Sequence, residues 1–475
     1  MLWGAMILSA CEQQPAENSL PNIVIVFTDD QGYGDLGTFG ASGFQTPYLD
    51  QLAGEGMRFT HFYVGQAVCS ASRAALMTGC YPNRIGITGA LFPTSNHGIN
   101  AEETTIAEML RPLGYATGIF GKWHLGHHEP FLPLQHGFDE YFGIPYSNDM
   151  WPVDFDGTPV TDTAIRKGQY PPLPLVEGNE IVERVATLAD QDQLTTRYTQ
   201  RAVDFIRRHQ NQPFFLYVPH SMPHIPLGVS DKFRGKSQQG LYGDVMMEID
   251  WSVGQIMETL QELGLQENTL IMFMTDNGPW LNFGNHAGST GGLREGKGTT
   301  YEGGQRVPCI MRWPKKIPAG KVNHQLAATM DILPTLAELT GATLSDRNID
   351  GLDISSLLMG NNTSSPREIL YYYYHRNDLE AVRYQQWKLV LPHVTTQSYR
   401  RVLPGNDGWP GPYNKDTTGL ALYDLRRDPG ESYDVQELYP EVVDMMQDLA
   451  NQAREDLGDN LTGVEGKNVR KPGQR

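Results

Sequence analysis

Asn22-Ile23-Val24-Ile25-Val26-Phe27-Thr28-Asp29-Asp30 is an unbroken β-branched and aromatic run that stops on two acids. A run without a polar face reads as a central strand of a parallel sheet, covered on both sides, with ligands at its carboxyl end. A second such strand, predicted over residues 270–274, leads into Thr275-Asp276-Asn277-Gly278. Helical patterns at 46–58, 70–78, 105–113, 193–208 and 242–263 alternate with strand-like segments at 116–120 and 213–218. This alternation predicts an α/β fold, a large and mostly parallel central sheet sandwiched by helices.

Beyond about residue 365 the pattern changes. Segments 369–374, 381–384, 387–391 and 420–425 read as short strands, and 440–457 as an amphipathic helix. They predict a small C-terminal antiparallel sheet with a helix. The expected division is 1–20 as leader and tether, 21–365 as the α/β domain and 366–475 as the C-terminal subdomain. Residues 463–475 are polar and basic and are expected to be mobile.

The chain has 475 residues, 40% of them hydrophobic, and a formal charge of −18. That balance argues against nucleic acid as a partner, which needs a clustered basic face. An acidic protein that handles an anion must gather cations within one pocket. At the N-terminus an apolar run, residues 2–8, precedes Ser9-Ala10-Cys11. This resembles the lipobox of bacterial lipoproteins. It implies a periplasmic or cell-surface protein that meets the membrane only through a lipid on Cys11. Of the remaining cysteines, Cys80 and Cys309 could pair or stay free, and no close CxxC spacing offers a four-cysteine zinc site.

Four constellations carry chemistry. Asp29, Asp30, Asp276 and Asn277 lie at the ends of two strands and form an all-oxygen donor set, which suits Ca²⁺, or Mg²⁺ in its place. Gly121-Lys122-Trp123-His124 puts a cation and an imidazole two residues apart, on one side of an extended segment. His220-Ser221-Met222-Pro223-His224-Ile225-Pro226 supplies further imidazoles, with His220 read as structural. Arg294-Glu295-Gly296-Lys297-Gly298 is glycine-rich but lacks the Walker spacing, so Lys297 reads as a cation for another anion.

The most telling stretch is Val68-Cys69-Ser70-Ala71-Ser72-Arg73-Ala74-Ala75-Leu76-Met77-Thr78-Gly79, a cysteine at the start of a helix with an arginine one turn on. It resembles the maturation signature of the formylglycine-dependent sulfatases, and Gly296 to Gly304 resembles their second signature. From residue 22 to about 310 the segments follow the order of that family, in the arylsulfatase A branch of the alkaline-phosphatase superfamily. Leu422-Tyr423-Asp424-Leu425 with Asp428, Pro429 and Glu431 resembles its closing sheet. The resemblance implies a formylglycine made from Cys69 by a sulfatase-maturing enzyme. It also implies Asp29, Asp30, Asp276, Asn277 and the modified Cys69 as metal ligands.

Arg73, Lys122, His124, His224 and Lys297 would then surround the sulfate. A hydroxyl of the hydrated aldehyde would attack sulfur, His224 or Lys297 would protonate the departing alcohol, and His124 would take the proton from the second hydroxyl. One position departs from the family pattern: Ala71 stands where proline is usual, a residue accepted by the anaerobic radical maturation enzyme. His97, Asn148, Asp149, Trp151 and Arg294 are candidates for contact with the substrate, expected to be a sulfated carbohydrate or another sulfate ester. The rival readings are a phosphodiesterase or phosphonate monoester hydrolase of the same superfamily, and a non-catalytic glycan-binding relative.

Overall fold

The structure is a computed structural model that describes residues 20–361 and 364–475. The expected leader, with Cys11, lies outside the described residues. Asn22–Thr28 forms a wholly buried strand in mid-sheet. Ile23, Ile25 and Phe27 enter one hydrophobic layer, and Val24 and Val26 enter the other. Alternate side chains of a strand face opposite sides, so a run with no polar residue needs cover on both.

Among the described residues the sheet has eleven strands. From one edge its order is Lys321–Asn323, Met57–Tyr63, Arg306–Arg312, Thr269–Thr275, Asn22–Thr28, Phe214–Pro219, Ala116–Lys122, Glu140–Ile144, Leu173–Glu177 and Glu180–Val185, with Ala327–Ala328 also paired to Met57–Tyr63. The five strands from Thr269–Thr275 to Glu140–Ile144 are mutually parallel. Helices Pro47–Gly54, Leu194–Arg208 and Gly240–Glu262 cover one face, and Cys69–Thr78 with Ile332–Thr340 the other. The predicted α/β sandwich is the observed one.

Two differences have local causes. The helix expected over 46–58 ends at Gly54, and Met57 already begins a strand. A Cβ on Gly56 would lie 2.3 Å from the carbonyl oxygen of Met311, so the chain there must pass close to the next strand. That strand, Arg306–Arg312, contains Pro308, and its register shifts between Val307 and Cys309. Proline within a run demotes it as a strand candidate, which hid this interior antiparallel strand.

Ile369–Tyr374, Asp378–Tyr384, Trp387–Val390 and Ala421–Asp424 form an antiparallel four-stranded sheet against helix Pro440–Leu457. His393–Ser398 and Asn414–Thr418 add a two-stranded ribbon. The tail corrects the expectation of mobility. Gly473 and Gln474 pair with Gly98 and His97, and Arg470 grips Glu103 at 2.7 and 2.8 Å. A buried carboxylate, Glu103, gives the basic tail a specific partner that composition alone does not reveal. Cys80 and Cys309 are both free and buried. Among the described residues no helix is long and apolar enough to cross a membrane.

Candidate active site

The carboxyl ends of the parallel strands converge. Asp29 and Asp30 follow one strand, Asp276 and Asn277 its neighbour, and Lys122 ends a third. His224 comes from the loop after Phe214–Pro219. Cys69 is the first residue of helix Cys69–Thr78, whose every residue is buried and which ends at Gly79 in the left-handed conformation. Asp30, at φ 63°, turns sharply off its strand, a conformation that Asp tolerates better than most residues.

The cluster is dense and closed, with Cys69 only 2% exposed. Cys69 Sγ lies 3.6 Å from Asp29 Oδ1. Asp29 Oδ2 takes a short contact from Lys122 Nζ, and Arg73 Nη2 stands 3.4 Å away. Arg73 also donates to Asp276 Oδ2 through Nε at 3.1 Å and Nη2 at 2.8 Å, and to the Lys122 carbonyl at 2.9 Å. Asp30 Oδ2 accepts from Lys297 Nζ at 2.7 Å and faces His224 Nε2 at 3.5 Å. Asp30 Oδ1 accepts from Asn277 Nδ2 at 2.7 Å. Nine of the ten residues assigned to catalysis or to a metal meet in these contacts, and the tenth, His124, bonds instead to the Leu91 carbonyl.

Charge follows from these contacts. Burial alone would raise Asp29, but the positive charges of Lys122, Arg73 and Lys297 outweigh it and hold the carboxyl far below the usual range. Burial pushes the Cys69 thiol up, so it stays protonated and is a poor nucleophile. Burial would lower Lys297, yet the charge of Asp30 more than compensates, and the ammonium is retained. Burial and then Lys297 lower His224, and burial and then Lys122 lower His124, so both rings are neutral near pH 7.

The ring contacts place the lone pairs. His224 Nδ1 lies 2.5 Å from the Ile225 carbonyl oxygen and donates to it, which leaves the lone pair on Nε2. His124 Nε2 donates to the Leu91 carbonyl at 2.8 Å. Its Nδ1, buried and without a hydrogen-bond partner among the described residues, therefore carries the lone pair. His124 Nδ1 can accept a proton, and Lys297 rather than His224 holds one. One expectation is corrected: His124 has φ 63°, so the chain is not extended through 122–124 and alternation does not put the two side chains together. Lys122 reaches Asp29, and His124 turns toward Leu91.

The donor set fits a hard cation. Atoms of Asp29, Asp30, Cys69 and His224 lie within 4.8 Å of one another, and Asn277 Oδ1 is buried without a hydrogen-bond partner among the described residues. Carboxylate and amide oxygens are what calcium and magnesium take. Asp276 stands slightly apart, with one oxygen on Arg73 and the other accepting from the Asp30 amide at 3.1 Å.

The five candidates for substrate contact do not gather in the same way. Trp151 is wholly buried in the core, and Asn148 spends its amide on Gln191 Oε1 and the Pro226 carbonyl. Arg294 stacks on Tyr301 and donates to Tyr423 and the Glu431 carbonyl, and His97 pairs with the tail. Asp149 is half-buried. Two residues near the cations carried no sequence signal. Ser147 Oγ bridges Lys122 Nζ at 3.1 Å and His224 Nε2 at 3.4 Å, and Trp280 lies under Lys297 Nζ at 4.4 Å. A serine in a loop and a tryptophan after a strand end are too common to single out.

Comparison with known proteins bears on this geometry. Residues 21–342 match a family model described as Sulfatase, and residues 296–457 one described as N-sulphoglucosamine sulphohydrolase, C-terminal. The chain is 40% identical over 465 residues to arylsulfatase A of Bos taurus, covering 91% of this chain and 88% of that one. It is 39% identical over 459 residues to N-acetylgalactosamine-6-sulfatase of Canis lupus familiaris, covering 90% and 84%. Its fold superposes on the PsFucS1 sulfatase of Pseudoalteromonas sp. with a TM-score of 0.81 at 30% identity, covering 92% of this chain and 91% of that one.

Proposed function

Since the chain belongs to the sulfatase family, we propose that it removes sulfate from a sulfated carbohydrate, using a formylglycine made from Cys69 and a divalent cation, calcium by preference. That it is an arylsulfatase A-like hydrolase of sulfate esters follows from the family. The observation that carries the finer reading is the burial of a protonated Cys69 thiol against Asp29, within a ring of Lys122, Arg73, Lys297 and His224.

The aldehyde that replaces the thiol supplies the oxygen nucleophile that a buried, protonated thiol does not. A divalent cation, which Asp29, Asp30, Asp276, Asn277 and the modified Cys69 would hold, would supply charge neutralisation at the ester oxygens. Lys122 and Lys297 sit on the same carboxylate oxygens that a cation would take. With those carboxylates shared by a cation, the two ammonium groups would be available to bind ester oxygens, with Arg73 behind them. Lys297 holds the proton for the departing alcohol, and His124 Nδ1 accepts one at its free lone pair.

A carbohydrate is favoured over a simple aryl group by the amino-sugar named in one relative at 39% identity. A periplasmic or cell-surface place, through a lipid on Cys11, belongs to the same proposal. Labelling with a fatty-acid analogue in the native host is expected to mark Cys11.

The test is the mass of the peptide ending at Arg73, from active protein purified from its host. The aldehyde mass is expected; full activity with an intact thiol would overturn the reading. Cys69→Ala is expected to abolish turnover and leave the fold unchanged by circular dichroism. Matched sulfate and phosphate esters then set the ester class, with sulfate expected to turn over faster. A sulfated saccharide is expected to outpace a simple aryl sulfate.

A further inference from the structure

Away from the catalytic cluster, strand Met57–Tyr63, the start of Arg306–Arg312 and the C-terminal sheet enclose a cavity of about 670 Å³. Its charged lining is Arg306, Arg367, Arg383 and Arg426 against the single acid Glu368, with His61 and His324 beside them. In a chain of net charge −18 such a concentration of arginine is a local inversion of sign.

Not all of these charges are free. Arg367 is spent on Asp331, with Nε at 2.8 Å, and exposed Arg426 lies 3.7 Å from Asp424. Arg306 and Arg383 are different. Both are buried at the floor, 7% and 4% exposed. Arg383 donates to the Gln385 carbonyl at 2.8 Å and to the Tyr63 hydroxyl. Arg306 donates through Nε to the Thr60 carbonyl at 2.6 Å. Its Nη1 has no hydrogen-bond partner among the described residues, although Glu302 Oε2 lies at 3.7 Å.

Glu302 is the carboxylate behind this floor, and it also serves Lys388 at 3.2 Å and the Tyr63 hydroxyl at 2.6 Å. Glu431 Oε1 meets the same Lys388 Nζ at 2.8 Å. The guanidinium groups are therefore under-neutralised, a costly state for buried charge. His61 registers the same field: burial first, then Arg306 and Arg383, push it down to about 3.

We infer that this cavity binds a tetrahedral oxyanion of the sulfate type, with Arg306 and Arg383 at its floor and His61, His324 and Arg426 around its mouth. Guanidinium forks match two oxygens of such an anion at once. The volume exceeds that of a bare ion and falls in the range that holds a small ligand, so a sulfate borne on a sugar fits as well as a free one. None of its lining residues belongs to the catalytic cluster, and the inference stands apart from the assignments to formylglycine and metal.

Crystals of the whole protein soaked in sodium selenate test it directly. An anomalous selenium peak is expected between Arg306 and Arg383, separate from any peak beside Lys122 and Lys297. No peak there, at a concentration that fills the catalytic cluster, would overturn the site. In solution, calorimetric titration with inorganic sulfate is expected to reveal a class of binding lost at least tenfold in His324→Glu/Arg426→Glu, with turnover of a small aryl sulfate unchanged. Identical isotherms for that variant and the wild type would also overturn it. Displacement of selenate by a sulfated oligosaccharide but not by phosphate supports a saccharide-borne ligand. Equal displacement by inorganic sulfate and phosphate supports a free anion.

Discussion

Arg73 stands between Asp29 and Asp276 with its guanidinium wholly buried, and it ties the strand ends to the helix that carries Cys69. Removing it leaves two buried carboxylates short of a partner. Arg73→Ala is expected to cost about 3–5 kcal/mol, read as a lower urea midpoint. An unchanged midpoint would mean that Lys122 and Lys297 suffice.

Glu380 makes the opposite case, a buried acid with too little cation. It accepts from Thr300 Oγ1 at 2.8 Å and faces His393 at 3.3 Å, and its Oε1 has no hydrogen-bond partner among the described residues. Burial, helped by the charge of Asp378, pushes it up to about 8. The folded state thus keeps a proton that the unfolded chain gives up near its ordinary value. The stability that this contributes is complete below the unfolded pKa and is lost as pH rises through the folded one. Wild type minus Glu380→Gln stability is expected to fall by on the order of 4 kcal/mol between about pH 4 and about pH 8.5. A flat difference in urea titrations across that range would contradict the assignment.

Among the elements, helix Cys69–Thr78 sets where the proposed chemistry would sit, and its first turn gives the alanine at 71 a local use. The Ala71 amide donates to the Gly89 carbonyl at 3.2 Å, and Ser70 Oγ accepts from the Leu91 amide at 2.9 Å, so a neighbouring loop is stitched to the turn. That loop ends at Leu91, whose carbonyl orients His124. Proline is tolerated in a first helical turn but has no N–H. Ala71→Pro is expected to fold, with a loss of about 0.5–1.5 kcal/mol for the missing bond. Thermal denaturation measures it, and a gain in stability would mean that the bond contributes nothing.

Loops of the C-terminal subdomain support the same site from behind. Glu431 Oε2 accepts from the Glu302 amide at 2.7 Å, and the Tyr399 hydroxyl donates to the Lys297 carbonyl at 2.7 Å. The glycine-rich run that carries Lys297 is thus held by these C-terminal loops.

For the whole molecule, the last residues close the structure. Arg470 holds Glu103 with two bonds and approaches Cys80 Sγ at 3.3 Å, and its backbone amide donates to the Arg84 carbonyl. Arg84 in turn meets Asp350 at 2.7 Å and Asp456 at 2.6 Å, so the tail, the sheet-covering loops and the C-terminal helix share one network. Arg470 keeps part of its side chain in water, which reduces the value of its ion pair. Arg470→Ala is expected to cost about 1–2 kcal/mol and to speed labelling of Cys80 by a thiol reagent. Unchanged labelling would mean that the tail does not shield this face.

By itself the sequence determined the α/β sandwich and singled out the candidate residues that converge at its strand ends. Their signals are local: a strand covered on both faces admits no polar residue, and acids at its end have few structural uses. Asp29, Asp30, Asp276 and Asn277 were legible for that reason, and Cys69 through the motif around it. Tertiary structure alone decided the direction of His124, because a left-handed turn at one residue overrides alternation. It alone placed Ser147, Trp151 and Arg294, whose roles depend on neighbours up to 137 residues away in the chain. It also decided the docked tail and the arginine-lined cavity. Both depend on pairings such as Arg470 with Glu103 and Arg383 with Tyr63, 367 and 320 residues apart, and no local period encodes a contact at that distance.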